Sequence, residues 1–138
     1  MGRALNLSQF QHNVTDGTTT VATTYVTNGS AKAWINLNGQ GTIEARDSFN
    51  VASLTDNGTS SYKVNVTNDF SSIDHAPTVS GSTFNGRNHV LATDSRTFNT
   101  SDISITASSW TIGSADFGAS SYNADTKYLM SNSHGDLA

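Results

Sequence analysis

Residues 31–67 read AKAWINLNGQGTIEARDSFNVASLTDNGTSSYKVNVT, and apolar and polar side chains alternate through most of that stretch. From Ala33 the period is two: Ala33, Ile35 and Leu37 share one face, while Trp34, Asn36 and Asn38 share the other. Ile43 and Ala45 continue an apolar face, with Thr42, Glu44 and Arg46 opposite, and Phe49 and Val51 form another such run. Tyr62, Val64 and Val66 alternate with Lys63, Asn65 and Thr67. A period of two is the mark of a strand with one buried face. Two Asn-Gly steps, Asn38-Gly39 and Asn57-Gly58, punctuate the runs. Both residue types tolerate positive φ, so each step predicts a type I′ hairpin turn.

Outward from this stretch the pattern loosens. Val21 to Val26 is β-branched enough to predict a strand. Leu7, Phe10 and Val14 have helical spacing, but the Thr-rich surroundings favour an irregular arm over residues 1–30. In the second half PTVSG at 77–81, HVLAT at 89–93, DISITAS at 102–108, SWTIG at 109–113 and TKYLMSNS at 126–133 read as strands. Ser/Thr/Asn/Gly segments between them read as loops. No segment keeps helical periodicity over ten residues. Short strands with one apolar face, separated by such loops, predict an all-β chain. The expected architecture is an antiparallel β-sandwich or jelly-roll-like domain over residues 31–138, preceded by an extended N-terminal arm over 1–30.

At 138 residues one sandwich domain is expected. Leu, Ile, Val and Phe make up only about a fifth of the chain, which borders on the composition of disordered proteins. A net charge of −4 and a charged fraction of 13% argue instead for a folded chain with a thin core and an uncharged polar surface. A thin core gains from apolar surface buried between subunits. The mildly acidic balance, without a basic run, argues against nucleic acid as a partner. No apolar run approaches the length of a membrane span, so no membrane insertion is expected, and the N-terminus lacks a signal peptide's apolar segment. Absence of cysteine excludes a disulfide framework and a thiolate zinc site.

Residues that could carry chemistry are scattered. His12, His75, His89 and His134 form no H-x-H or H-x-x-x-H pair, and solvated loop histidines are expected rather than metal ligands. Glu44 with Asp47, and Asp94 with Asp102, could in principle do acid–base work, but surface charge is the plainer reading. There is no G-x-S-x-G elbow and no Gly-rich loop entering a helix. No catalytic residue, cofactor or metal is therefore expected. The Asn-x-Ser/Thr triplets at Asn6, Asn13, Asn28, Asn57, Asn65 and Asn99 are what so much Ser, Thr and Asn produces. Trp34 falls on the polar face of its strand. It either stands exposed, to stack on a sugar ring or mark an interface, or packs beneath a second layer; the sequence leaves both open. Trp110, Tyr122 and Tyr128 lie near loops and read mainly as packing residues.

The opening stretch also resembles a module of tail-fibre-like virion proteins of tailed bacteriophages, especially marine ones. The shared pattern is a Trp strand (Trp34), Asn38-Gly39-Gln40-Gly41-Thr42, Arg46, Ser48-Phe49-Asn50-Val51, the turn Thr55-Asp56-Asn57-Gly58-Thr59, then Tyr62, Val64 and Asn65. An Asp125–Leu129 element and the closing GDLA agree more loosely. The resemblance implies a virion structural protein on a tail or head appendage. It also implies a homotrimer whose first 30 residues attach it to other virion proteins, with Leu5, Leu7 and Phe10 as the arm's apolar contacts.

Loops on a rigid scaffold are the usual place for recognition. Loops 81–88, 93–101 and 113–125 are accordingly the expected contact surface for a host cell-surface glycan or protein, through Asn85, Arg87, Arg96, Phe98, Phe117 and Tyr122. A capsid decoration or cement protein, or a tail-assembly adaptor held by its arm, is the alternative.

Overall fold

The computed structural model describes residues 13–15, 20–82, 89–92, 105–116 and 125–138. The chain divides into two compact units, Met1–Ser30 and Ala31–Ala138. In the first, β1 (Asn13–Thr15) pairs antiparallel with β2 (Thr20–Ala22), and α1 (Thr23–Gly29) follows. The strand expected over Val21–Val26 therefore ends early. Within the helix Thr27 Oγ1 donates to the Thr24 carbonyl at 3.2 Å. Ser30 ends the turn, its N–H donating to Val26 O at 3.2 Å and its hydroxyl to Thr27 O at 3.0 Å.

The second unit is a two-sheet antiparallel sandwich. Its strands are β3 (Ala33–Asn38), β4 (Glu44–Phe49), β5 (Val51–Asp56), β6 (Ser61–Val66), β7 (Ala76–Gly81), β8 (His89–Ala92), β9 (Ser109–Asp116) and β10 (Leu129–His134). One sheet has the order β4-β3-β10-β7 and the other β5-β6-β9-β8, all pairs antiparallel. The chain's one proline, Pro77, lies on the edge strand β7, where a missing N–H costs no ladder bond. Between the sheets lie Ala33, Ile35, Leu37 and Leu129 from the first and Tyr62, Val64, Val66, Trp110 and Ile112 from the second, all buried, with Phe70 closing one end. These are the inward positions of the two-residue alternation.

Two corrections concern the opening stretch. A β-bulge between Asn36 and Leu37 leaves Arg46 unpaired, with Asp47 opposite Asn36 and Ala45 opposite Leu37. The extra residue flips the faces, so Phe49 sits opposite Trp34 on the outer surface, 55% exposed, and does not share Val51's face. Asn50 then turns the chain from one sheet to the other with φ 55°. Its amide donates to Lys32 O and Asn68 O, both at 3.1 Å, and its Oδ1 accepts from the Asn68 N–H at 2.8 Å and side chain at 3.0 Å.

Neither Asn-Gly step makes a type I′ turn. After Asn38 the positive φ falls at Gly41, and after Asn57 at Gly58 and Ser60. Gly39 is required for a different reason: a Cβ there would stand 2.6 Å from the Tyr62 hydroxyl and 2.8 Å from Thr126 O. Near the other end, residues 105–108 are not a strand. Thr106 N–H donates to Ser109 O at 2.8 Å and Ser109 N–H returns to Thr106 O at 3.3 Å, a tight reversal that lets β9 run on to Asp116. Residues 113–116, expected in a loop, belong to that strand.

Candidate functional site

Two buried polar clusters pin the sandwich. At one end the Tyr62 hydroxyl lies 2.7 Å from Asp125 Oδ1 and 2.8 Å from Gly39 O, its single proton shared between two acceptors. Burial, reinforced by the Asp125 and Asp56 carboxylates, pushes the Tyr62 phenol far above its ordinary range. The same Asp125 Oδ1 accepts from the Ser60 N–H at 2.9 Å, which ties the β5–β6 turn to the segment entering β10.

At the other end His75 is 6% exposed, not the solvated loop histidine expected. Its Nε2 lies 2.9 Å from Thr106 O, which can only accept, so Nε2 carries the proton. In the neutral ring Nδ1 then accepts from the Ser133 hydroxyl at 2.6 Å. The ring stacks on Phe70 with centroids 4.1 Å apart and meets Trp110 edge-on at 6.0 Å. The Trp110 indole N–H donates to Ser131 Oγ on the opposite sheet at 2.9 Å, and Ser131 donates onward to Thr78 O at 2.6 Å. These hydrogen bonds join segments far apart in the chain and tie the two sheets together.

Open chemistry lies on the outer face of the first sheet. Register places side chains in transverse rows. One runs Phe49, Trp34, Asn132, Thr78; the next runs Asp47, Asn36, Met130, Ser80. Between them lies a groove of about 330 Å³ lined by Trp34, Asn36, Met130, Asn132, Thr78 and Ser80, with the β3, β10 and β7 backbones as its floor. Trp34 is 36% exposed and Met130 41%, which resolves the two readings of Trp34 in favour of the surface. The Thr78 hydroxyl donates to Asn132 Oδ1 at 2.7 Å, while buried Asn36 Oδ1 has no hydrogen-bond partner. Tyr128 flanks Met130, covered by the Arg46 guanidinium at 4.4 Å from the ring centre.

Of the residues proposed from sequence, Asn85, Arg87, Arg96, Phe98, Phe117 and Tyr122, and Leu5, Leu7 and Phe10 of the arm, lie outside the described residues, as do Asp94 and Asp102. Glu44 and Asp47 are exposed on β4. Among the described residues no three His, Asp or Glu side chains cluster in a way that could hold a metal ion, and no helix is long and apolar enough to cross a membrane. The sequence signal for the groove was Trp34 on a polar face; the contributions of Thr78, Ser80 and Asn132 depend on β10 entering between β3 and β7, which no local pattern announces.

The site thus belongs to a two-sheet antiparallel β-sandwich with an uncharged aromatic groove on one outer face. No protein-family model matches the chain, and comparison with curated proteins and with solved structures finds none similar to it.

Proposed function

We propose that this protein is a bacteriophage virion structural protein, a trimeric β-sandwich on a tail or head appendage that contacts the host surface without catalysing a reaction on it. The observation that carries the binding role is the groove at Trp34: an aromatic wall, amides and hydroxyls on a sheet face, with the titratable clusters of the interior closed off from it. The likeness of residues 34–65 to tail-fibre modules supports the virion assignment. A stiff sandwich suits adsorption, and three copies raise the avidity of weak contacts.

Light scattering of the purified chain should give three times the monomer mass; a strict monomer sinks the trimer. Antibody labelling of intact virions should mark the tail tip or an appendage end. Label spread over the head surface would replace host contact with capsid decoration, and no label on virions would end the viral reading.

A further inference from the structure

We infer that the groove beside Trp34 is a subsite for one uncharged sugar ring, an inference that rests on the reading of this protein as a surface-binding component. A pyranose offers an apolar face of C–H groups and a rim of hydroxyls. The groove offers the complement: the Trp34 indole as a platform, amides on its own strand and the next, and hydroxyls on the strand beyond.

Hydrogen-bonding capacity there is of both signs. Because Asn132 Oδ1 already accepts from Thr78, the amide N–H groups of Asn132 and the lone pairs of Thr78 Oγ1 remain to meet a ligand. Asn36 Oδ1 has no protein partner, so a rotation of that amide toward a sugar hydroxyl gains a bond and breaks none. The floor is rigid, since β10 is paired along both edges.

Charge and pattern decide between occupants. No lining residue is charged, and the charged side chains flanking the groove are of both signs, Asp47 opposite Asn36 and Arg46 and Lys127 over Tyr128, so the lining offers an ionic sugar no charge to pair with. A protein partner or a second copy would want a continuous apolar centre. Inside the groove each apolar side chain meets polar ones, Trp34 beside Asn132 and Met130 between Asn36 and Ser80, while Phe49, beside Trp34, extends the apolar surface outside the lining.

The test uses the whole chain, with neutral di- to tetrasaccharides of glucose, galactose, mannose and N-acetylglucosamine at millimolar concentration. The readout is the two indole N–H resonances. Binding should move the Trp34 signal and leave Trp110 in place, because Trp110 is fully buried and bonded to Ser131. Trp34→Ala should weaken binding by about tenfold or more, Trp34→Phe by less, and Asn132→Ala should fall between them. No response from Trp34 to any of these sugars, equal affinity in Trp34→Ala, or tighter binding of a sialylated oligosaccharide overturns the subsite. The two readings fail separately: a silent titration by a protein located on fibre tips removes the subsite alone, and a Trp34 response by a protein absent from virions removes the viral role alone.

Discussion

Replacing Tyr62 by Phe deletes one oxygen from a fully packed position and should expose what the phenol holds together. The ring and its apolar contacts stay. What goes is a proton shared between Asp125 Oδ1 at 2.7 Å and Gly39 O at 2.8 Å. A hydrogen bond to a charged group contributes about 1.5–3 kcal/mol. Asp125 Oδ1 keeps its bond from Ser60, so the lower half of that range applies and a loss of about 2 kcal/mol is expected near pH 8. For a chain of this length that is a fall of about 7 °C in Tm.

The pH dependence is the sharper test. The phenol's folded pKa lies above its unfolded value of about 10. Its stabilisation is therefore intact below pH 10 and lost as pH rises from there toward the folded value. Above pH 10 the unfolded state releases a proton that the folded state retains, so stability falls by about 1.4 kcal/mol per pH unit. The wild type should lose this contribution and the Phe variant should not. Urea titrations followed by circular dichroism should show the difference between them shrinking from about 2 kcal/mol at pH 8 to about 0.6 kcal/mol at pH 11. A variant within 0.5 kcal/mol of wild type at pH 8 would refute the reasoning. So would a difference that stays constant from pH 8 to pH 11.

Other positions carry simpler expectations. Gly39→Ala forces a methyl group against the Tyr62 hydroxyl and the Thr126 carbonyl, and should cost about 2 kcal/mol or more in urea unfolding, although Gly39 needs no positive φ. Asn50→Gly keeps the left-handed corner but removes its four side-chain bonds, for a loss of about 2 kcal/mol, and Asn50→Ala should lose about 1 kcal/mol more through φ 55°. Ser131→Ala strands the buried Trp110 N–H and should cost about 1–3 kcal/mol by thermal melting. Trp110→Ala should cost about 3–5 kcal/mol in the same assay, against less than about 1 kcal/mol for the exposed Trp34→Ala.

Alternation is a local signal, and where burial follows alternation the sequence is easily read: Ala33, Ile35 and Leu37, or Tyr62, Val64 and Val66, sit inside as their spacing demands. Phe49 escapes the reading because one unpaired residue, Arg46, reverses the faces, and nothing about an arginine marks a bulge. Asn50, Asp125, His75 and Ser131 escape it for another reason. Each is a polar residue whose role depends on partners far along the chain: Asn50 with Asn68, His75 with Thr106 and Ser133, and Asp125 with Tyr62. Gly39 was legible as a turn residue, but what fixes glycine there is the approach of a tyrosine from another strand. The groove was half legible, through Trp34 alone, since its other walls arrive with β10 and β7.

The place of β10 between β3 and β7 also sets an order of events. Residues 33–38 are made early in synthesis, yet their partner on one side is residues 129–133. The hairpins β3–β4 and β5–β6 can form as they emerge, but Ile35 and Leu37 have no neighbour on that side until nearly the whole sandwich has been translated. The β3 edge is thus a waiting slot in the nascent chain, apolar on one face and open to any extended segment that reaches it first. Closing it is a long-range event, so the last strand should govern the folding rate, and a nascent chain stopped before it should be the form that aggregates.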